Sequence, residues 1–243
     1  MPLQGDQHKQ HISGQFNAEL DAMKNHLLEM GGLVERQLAI AVEALLARDS
    51  GSAEGVIAAD DEINDMEIQI DDECSRILAR RQPAASDLRL VLAVAKSTTD
   101  LERIGDEASR IARQAIRLSE MTPSGATSNG VRRIGAHVAT MLRDALDSFA
   151  RLDVRRAIEV VVDDGEVDAQ HDEAVGELVE LMRSSPDGIE SALQEMWALR
   201  GLERVGDHAT NIAEQVIYLG LGKDVRHREP AELRALLDQR GQR

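Results

Sequence analysis

The stretch LERIGDEASRIARQAIRL at 101–118 returns as LERVGDHATNIAEQVIYL at 202–219. In the first copy the apolar positions Leu101, Ile104, Ala108, Ile111, Ala115 and Leu118 are separated alternately by three and four residues. Each recurs 101 residues later, as Leu202, Val205, Ala209, Ile212, Val216 and Leu219. That spacing lays one apolar stripe along a helix and holds it against neighbouring helices. Upstream the stripe continues through Leu90, Val94 and Ser97, which makes a rod of about 50 Å at 1.5 Å per residue. The repetition extends beyond this helix: Pro83 and Pro186 lie 103 residues apart, as do Ala47-Arg48 and Ala150-Arg151. A period of this size marks a duplicated supersecondary unit.

Only five prolines, Pro2, Pro83, Pro123, Pro186 and Pro230, interrupt long stretches rich in Ala, Leu, Glu, Arg and Met, all good helix formers. Six helices are predicted. They run from about Ser13 to Arg48, Ser52 to Arg81, Ser86 to Glu120, the region after Gly130 to Arg151, Val154 to Arg183, and Asp187 to Gly220 or Gly222. The cluster TPSGATSNG at 122–130 reads as the linker between halves. The expected fold is all-α, two tandem three-helix bundles of six long antiparallel helices related by a pseudo-twofold axis. The expected units are residues 1–122, 123–222 and a polar tail at 223–243, in which Glu232 to Gln239 could form a short helix.

The chain has 243 residues and a net charge of −16, which disfavours binding to nucleic acid, whose phosphates demand basic patches. Four aromatics, Phe16, Phe149, Trp197 and Tyr218, are too few for a β-sandwich or barrel. Cys74 is the only cysteine, so it has no intrachain disulfide partner, and its expected role is packing. The segment MPLQGDQHKQHISGQFNAEL at 1–20 lacks the apolar stretch of a secretory leader. The longest apolar run, Leu90 to Ala95, is far short of the roughly 18 residues a membrane helix needs. A cytoplasmic protein without direct membrane insertion is expected. No Gly-x-x-x-x-Gly-Lys loop is present, so ATP hydrolysis by the chain itself is not expected.

Glu102-x-x-x-Asp106 and Glu203-x-x-x-Asp207 each place two carboxylates one turn apart on a helix face. With 44 acids, about eight such pairs arise by chance, and their usual home is a solvated face. These two recur in one register, and each brackets a mid-helix glycine, Gly105 or Gly206. A glycine there costs roughly 1 kcal/mol against alanine, which points to close approach by another group. The preceding helix carries Asp164 and Asp168 in the second half. In the first half it carries either Asp60 and Asn64 or Asp61 and Asp65, and aligning Ile63 with Val167 favours Asp60 and Asn64. Four oxygen-bearing side chains from adjacent helices suit a hard cation such as Mg, Ca, Mn or Fe. Plain solvated acids, with Arg103 and Arg204 offsetting their charge, remain the competing reading. His208 is expected on the surface, and Met196 and Trp197 in the core or an interface. A ferritin-like di-iron centre is disfavoured, because Asp168-x-x-His171 is the only near match to its motif.

These segments, with HISGQFNAEL at 11–20, RQPAASDLRLV at 81–91 and both GluArg(Ile/Val)GlyAsp motifs, resemble the PhoU family of phosphate-transport regulators. The resemblance runs from residue 11 to about Gly222. It implies two three-helix bundles and no catalysis. It also implies repression of the phosphate-starvation regulon and modulation of phosphate uptake, through contacts with a PstB-like transporter ATPase and a PhoR-like sensor histidine kinase. A homodimer and a peripheral position at the membrane through these partners are further expectations. By the same resemblance the candidate metal ligands are Asp60, Asn64, Glu102 and Asp106 in the first unit. In the second they are Asp164, Asp168, Glu203, Asp207 and Asn211, for Mg, Mn or Fe. The first set departs from the second at Asn64, which stands where the second half has Asp168, and at Arg110, which stands where it has Asn211. An arginine there would repel a cation. The alternatives are a metal-binding helical adaptor of another pathway and a metal-dependent enzyme.

Overall fold

A computed structural model describes residues 4–121, 129–226, 228 and 231–233, with side chains from residue 14 onward. It is built from helices α1 (Gln4–Ala47), α2 (Ser50–Ala58), α3 (Asp60–Arg81), α4 (Ala85–Ser119), α5 (Asn129–Arg151), α6 (Val154–Ser184) and α7 (Ile189–Leu221), with one 3-10 turn at Pro186–Gly188. The expected linker falls mostly on 122–128, outside the described residues. Of the short helix expected at 232–239, only 232 and 233 are described, within a helical stretch at 231–233.

The same turn chemistry opens the second helix of each repeat. Arg48 and Leu152 adopt left-handed backbone conformations, with φ of 53° and 52°. The next residue, Asp49 or Asp153, then caps a helix. Asp49 accepts from the Gly51 and Ser52 amides, and Asp153 from the Arg155 and Arg156 amides. Such capping satisfies donors that have no intrahelical partner. The last helix ends at Gly222, whose φ of 67° supplies the left-handed cap.

The single helix expected from Ser52 to Arg81 is two helices in the structure, because the chain breaks at Ala59. The buried Gln37 of α1 donates its side-chain amide to the Ala59 carbonyl at 2.9 Å, which also accepts the Glu62 amide at 3.3 Å where α3 begins. Asp60, Asp61 and Glu62 thereby fall in the first turn of α3, where the helix dipole favours negative charge. In the second repeat α6 runs unbroken through Asp164.

Helices α1, α3 and α4 pack as one bundle and α5, α6 and α7 as the other, and α4 lies along α7 to join them. The predicted stripe lies in the apolar core. Val94, Leu101, Ile104, Ala108 and Ala115 of α4 are fully buried, as are Leu202, Val205, Ala209, Ile212 and Val216 of α7. Close contacts between α1 and α5, where Gly31 receives Leu146 and Gly135 receives Val42, make the apolar core continuous across both repeats. Phe149 and Cys74 lie in that core. Among the described residues no helix is long and apolar enough to cross a membrane.

Candidate functional site

Two acidic faces, one per repeat, lie where the second bundle helix meets the third. In the first, the N-terminal end of α3 lies against α4. A methyl group added to Gly105 would stand 2.9 Å from Ile63 Cδ1 and 3.7 Å from Asp60 Oδ1. In the second, the same addition to Gly206 would stand 3.4 Å from Val167 Cγ1 and 3.8 Å from Asp164 Oδ1. Both glycines thus admit an apolar side chain together with the first acid of the neighbouring helix. Ile63 and Val167 are equivalent, as their alignment required. The register follows: Asp60 and Asn64 turn toward α4, while Asp61 and Asp65 point into solvent.

The first face gathers Asp60, Glu102 and Asp106, with Asn64 on its edge. The structure adds Glu67, one further turn along α3, whose i+7 spacing from Asp60 was a usable signal. Asp60, Glu67 and Glu102 all hold their protons above the usual carboxylate range. Partial burial is the main cause in each, reinforced by the neighbouring acids and opposed at Asp60 by the Ser109 hydroxyl. Guanidinium groups cover part of this face. Arg103 lies 3.5 Å from Glu102 and 3.8 Å from Asp106, and Arg110 lies 3.5 Å from Asp106.

The second face gathers Asp164, Asp168, Glu203 and Asp207. Burial followed by mutual repulsion raises the pKa values of Asp164 and Asp207, and Thr210 donates its hydroxyl to Asp164 at 3.2 Å. Less positive charge reaches these acids. Arg200 pairs with Glu203, but Arg204, the repeat equivalent of Arg103, turns away and pairs with Glu107 of α4. Glu203 Oε2 is buried without a hydrogen-bond partner.

Asn211 is placed elsewhere. Its amide donates to Asp100 of α4 at 3.0 Å, beside His208, whose Nδ1 is 2.9 Å from the same oxygen. The α4–α7 joint claims both residues, so His208 is an interface residue rather than the surface residue expected. Trp197 is 65% exposed, so of its two expected places, core or interface, the core is ruled out. No signal in the sequence marked Asp100, because its partners come from the other repeat.

The donor set of the second face matches the chemistry of a hard cation, with several carboxylate oxygens and one orphaned buried oxygen. The first face fits less well, because guanidinium groups already lie against its acids. As the side chains stand, no group of three or more His, Cys, Asp or Glu among the described residues is arranged to hold a metal ion.

The sequence matches the PhoU domain model twice, over residues 27–115 and 131–216. It is 56% identical over 217 residues to the phosphate-specific transport system accessory protein PhoU homolog of Pseudomonas aeruginosa, covering 89% of this chain and 90% of that one. It is 42% identical over 228 residues to the accessory protein PhoU of Escherichia coli, covering 93% and 94%. The crystal structure of PhoU from Pseudomonas aeruginosa superposes with a TM-score of 0.84 at 55% identity, over 86% of this chain and all of that one. PhoU from Streptococcus pneumoniae gives 0.80 at 30% identity, over 86% and 99%. Two domain matches, one on each three-helix repeat, and near full-length identity to named relatives make this chain a member of the PhoU family.

Proposed function

We propose that this protein is a contact-based, non-enzymatic regulator of phosphate transport. It modulates uptake and represses a phosphate-starvation regulon when phosphate is plentiful. It does so by coupling the PstB-like ATPase of a phosphate ABC transporter to a PhoR-like sensor histidine kinase. The supporting observation is the near full-length identity to relatives named as accessory proteins of phosphate-specific transport systems. The protein works as a homodimer in the cytoplasm, at the membrane only through its partners. Alkaline phosphatase activity in phosphate-rich medium tests this: it rises when the gene is deleted and falls on restoration. Activity that stays low in the deletion strain refutes the repressor role. Turnover of any substrate by purified protein supplied with Mn or Fe favours the rival reading of a metal-dependent enzyme.

The orphaned Glu203 oxygen favours a second element of this reading. The face of Asp164, Asp168, Glu203 and Asp207 takes up a divalent or trivalent cation (Mg, Mn or Fe), whose charge offsets the repulsion among these acids. Calorimetric titration with Mn tests it. Glu203→Ala/Asp207→Ala binds less than wild type; equal binding removes the assignment.

A further inference from the structure

The joint between the repeats carries a second feature of opposite charge. At one end of the α4–α7 pair lies a groove of 580 Å³, within the range of small-molecule sites. Arg110 and Arg117 reach it from α4, and Arg200 and Arg204 from α7; among the described residues Glu107 is the only acid in its lining. In a chain of net charge −16, this is a local reversal of sign.

The groove is built rather than incidental. Glu107 is 3% exposed at its side chain and holds Arg110 and Arg204 through one oxygen, Oε1. A guanidinium has five N–H donors, so each arginine is anchored with donors to spare. Two features beyond charge point to a ligand. Gln114 is 9% exposed, lines the groove, and has its side-chain carbonyl oxygen buried without a hydrogen-bond partner. Trp197, the chain's only tryptophan, lines the same groove with its ring largely in solvent.

The duplication supplies a control. Advancing Gln114 by 101 residues gives Gln215, but Arg110 becomes Asn211 and Arg117 becomes Tyr218; stepping back by 101 turns Trp197 into Lys96. The corresponding cleft holds 100 Å³ and contains Glu214 and Asp224. Packing α4 on α7 therefore does not require the arginines or the tryptophan.

We infer that this groove binds a nucleotide carrying two or more phosphates. The arginines hold the phosphates, Trp197 stacks on the base, and Gln114 accepts a hydrogen bond from a ring or exocyclic N–H. Arginine suits bidentate capture of phosphate, and aromatic stacking on a base is tolerant of its identity.

The test uses purified full-length protein and the emission of Trp197, excited at a wavelength the base does not absorb, with and without Mg. ATP and ADP quench it saturably, and adenosine and inorganic phosphate do not. Arg117→Ala/Arg200→Ala, which leaves the Glu107 cluster intact, weakens binding by about tenfold or more. In equilibrium dialysis Trp197→Ala also loses affinity for labelled ATP. The inference is overturned by any of three results: no response to ATP or ADP at millimolar concentration, unchanged affinity in the double arginine variant, or tripolyphosphate binding as tightly as ATP. A response to a glutamate-rich peptide and to no nucleotide also overturns it, and assigns the groove to an acidic protein segment.

Discussion

Removing the two arginines that hold Glu107 should destabilise the protein far more than removing Glu107 itself. The carboxylate is almost wholly enclosed, whereas Arg110 and Arg204 are 46% and 38% exposed. In Glu107→Gln the released guanidinium groups turn into water, and the neutral amide still accepts a hydrogen bond. The loss is that of a charge-assisted bond, about 1–2 kcal/mol. In Arg110→Ala/Arg204→Ala the buried carboxylate is left without a counter-charge, which costs about 3–5 kcal/mol. For a chain of this size that lowers Tm by roughly 6–20 °C. Replacing the whole cluster, as in Glu107→Leu/Arg110→Ala/Arg204→Ala, recovers most of the loss, because an apolar group of similar volume escapes the desolvation penalty. Urea melts at neutral pH in low and moderate salt measure all three. The order is Glu107→Gln and the triple variant close to wild type, with the double arginine variant well below. Equal stability of the double arginine variant and Glu107→Gln would refute the premise that an enclosed carboxylate ties α4 to α7.

Three further outcomes follow from specific contacts. Gly206→Ala raises stability by up to about 1 kcal/mol, because helix propensity improves and the new methyl meets Val167 at an ordinary 3.4 Å. Gly105→Ala gains less or loses, because Ile63 Cδ1 at 2.9 Å must move within the core; thermal melts of both variants check the difference in sign. Glu214 is pushed up to about 7 by burial, with Asp224 adding to the effect. The folded state therefore holds a proton that the unfolded chain releases near its ordinary value. The stabilising contribution is fully present below about pH 4.5 and is lost as pH rises to about 7; Glu214→Gln flattens that part of the stability profile. Burial raises the Cys74 thiol to about 12, and its sulfur lies 3.5 Å from Met23 Sδ. A thiol reagent at pH 8 accordingly labels the unfolded chain and leaves the native protein unreacted.

The acidic faces show how far reading a sequence reaches. Glu102 with Asp106, and Glu203 with Asp207, share a helix face by spacing alone, and one apolar alignment favoured Asp60 and Asn64 over Asp61 and Asp65. Within a helix, position around the axis is fixed by residue number, so these relations could be read directly. The break at Ala59 could not, because the residue that accommodates it, Gln37, comes from another helix. Neither could the fate of Asn211, which the family resemblance grouped with Asp207 but which Asp100 of the other repeat engages.

The all-helical class, the duplication and the apolar stripe were legible in the residues alone, because helical periodicity and repeated residues are properties of order along a chain. Which charges meet depends on how the helices pack. Arg103 stays with the acids of its own helix, while its repeat equivalent Arg204 crosses to Glu107. Both sit at the same place in the repeat and have the same long, flexible stem. What separates them is the neighbour that packing brings within reach, and that neighbour turns one end of the joint cationic.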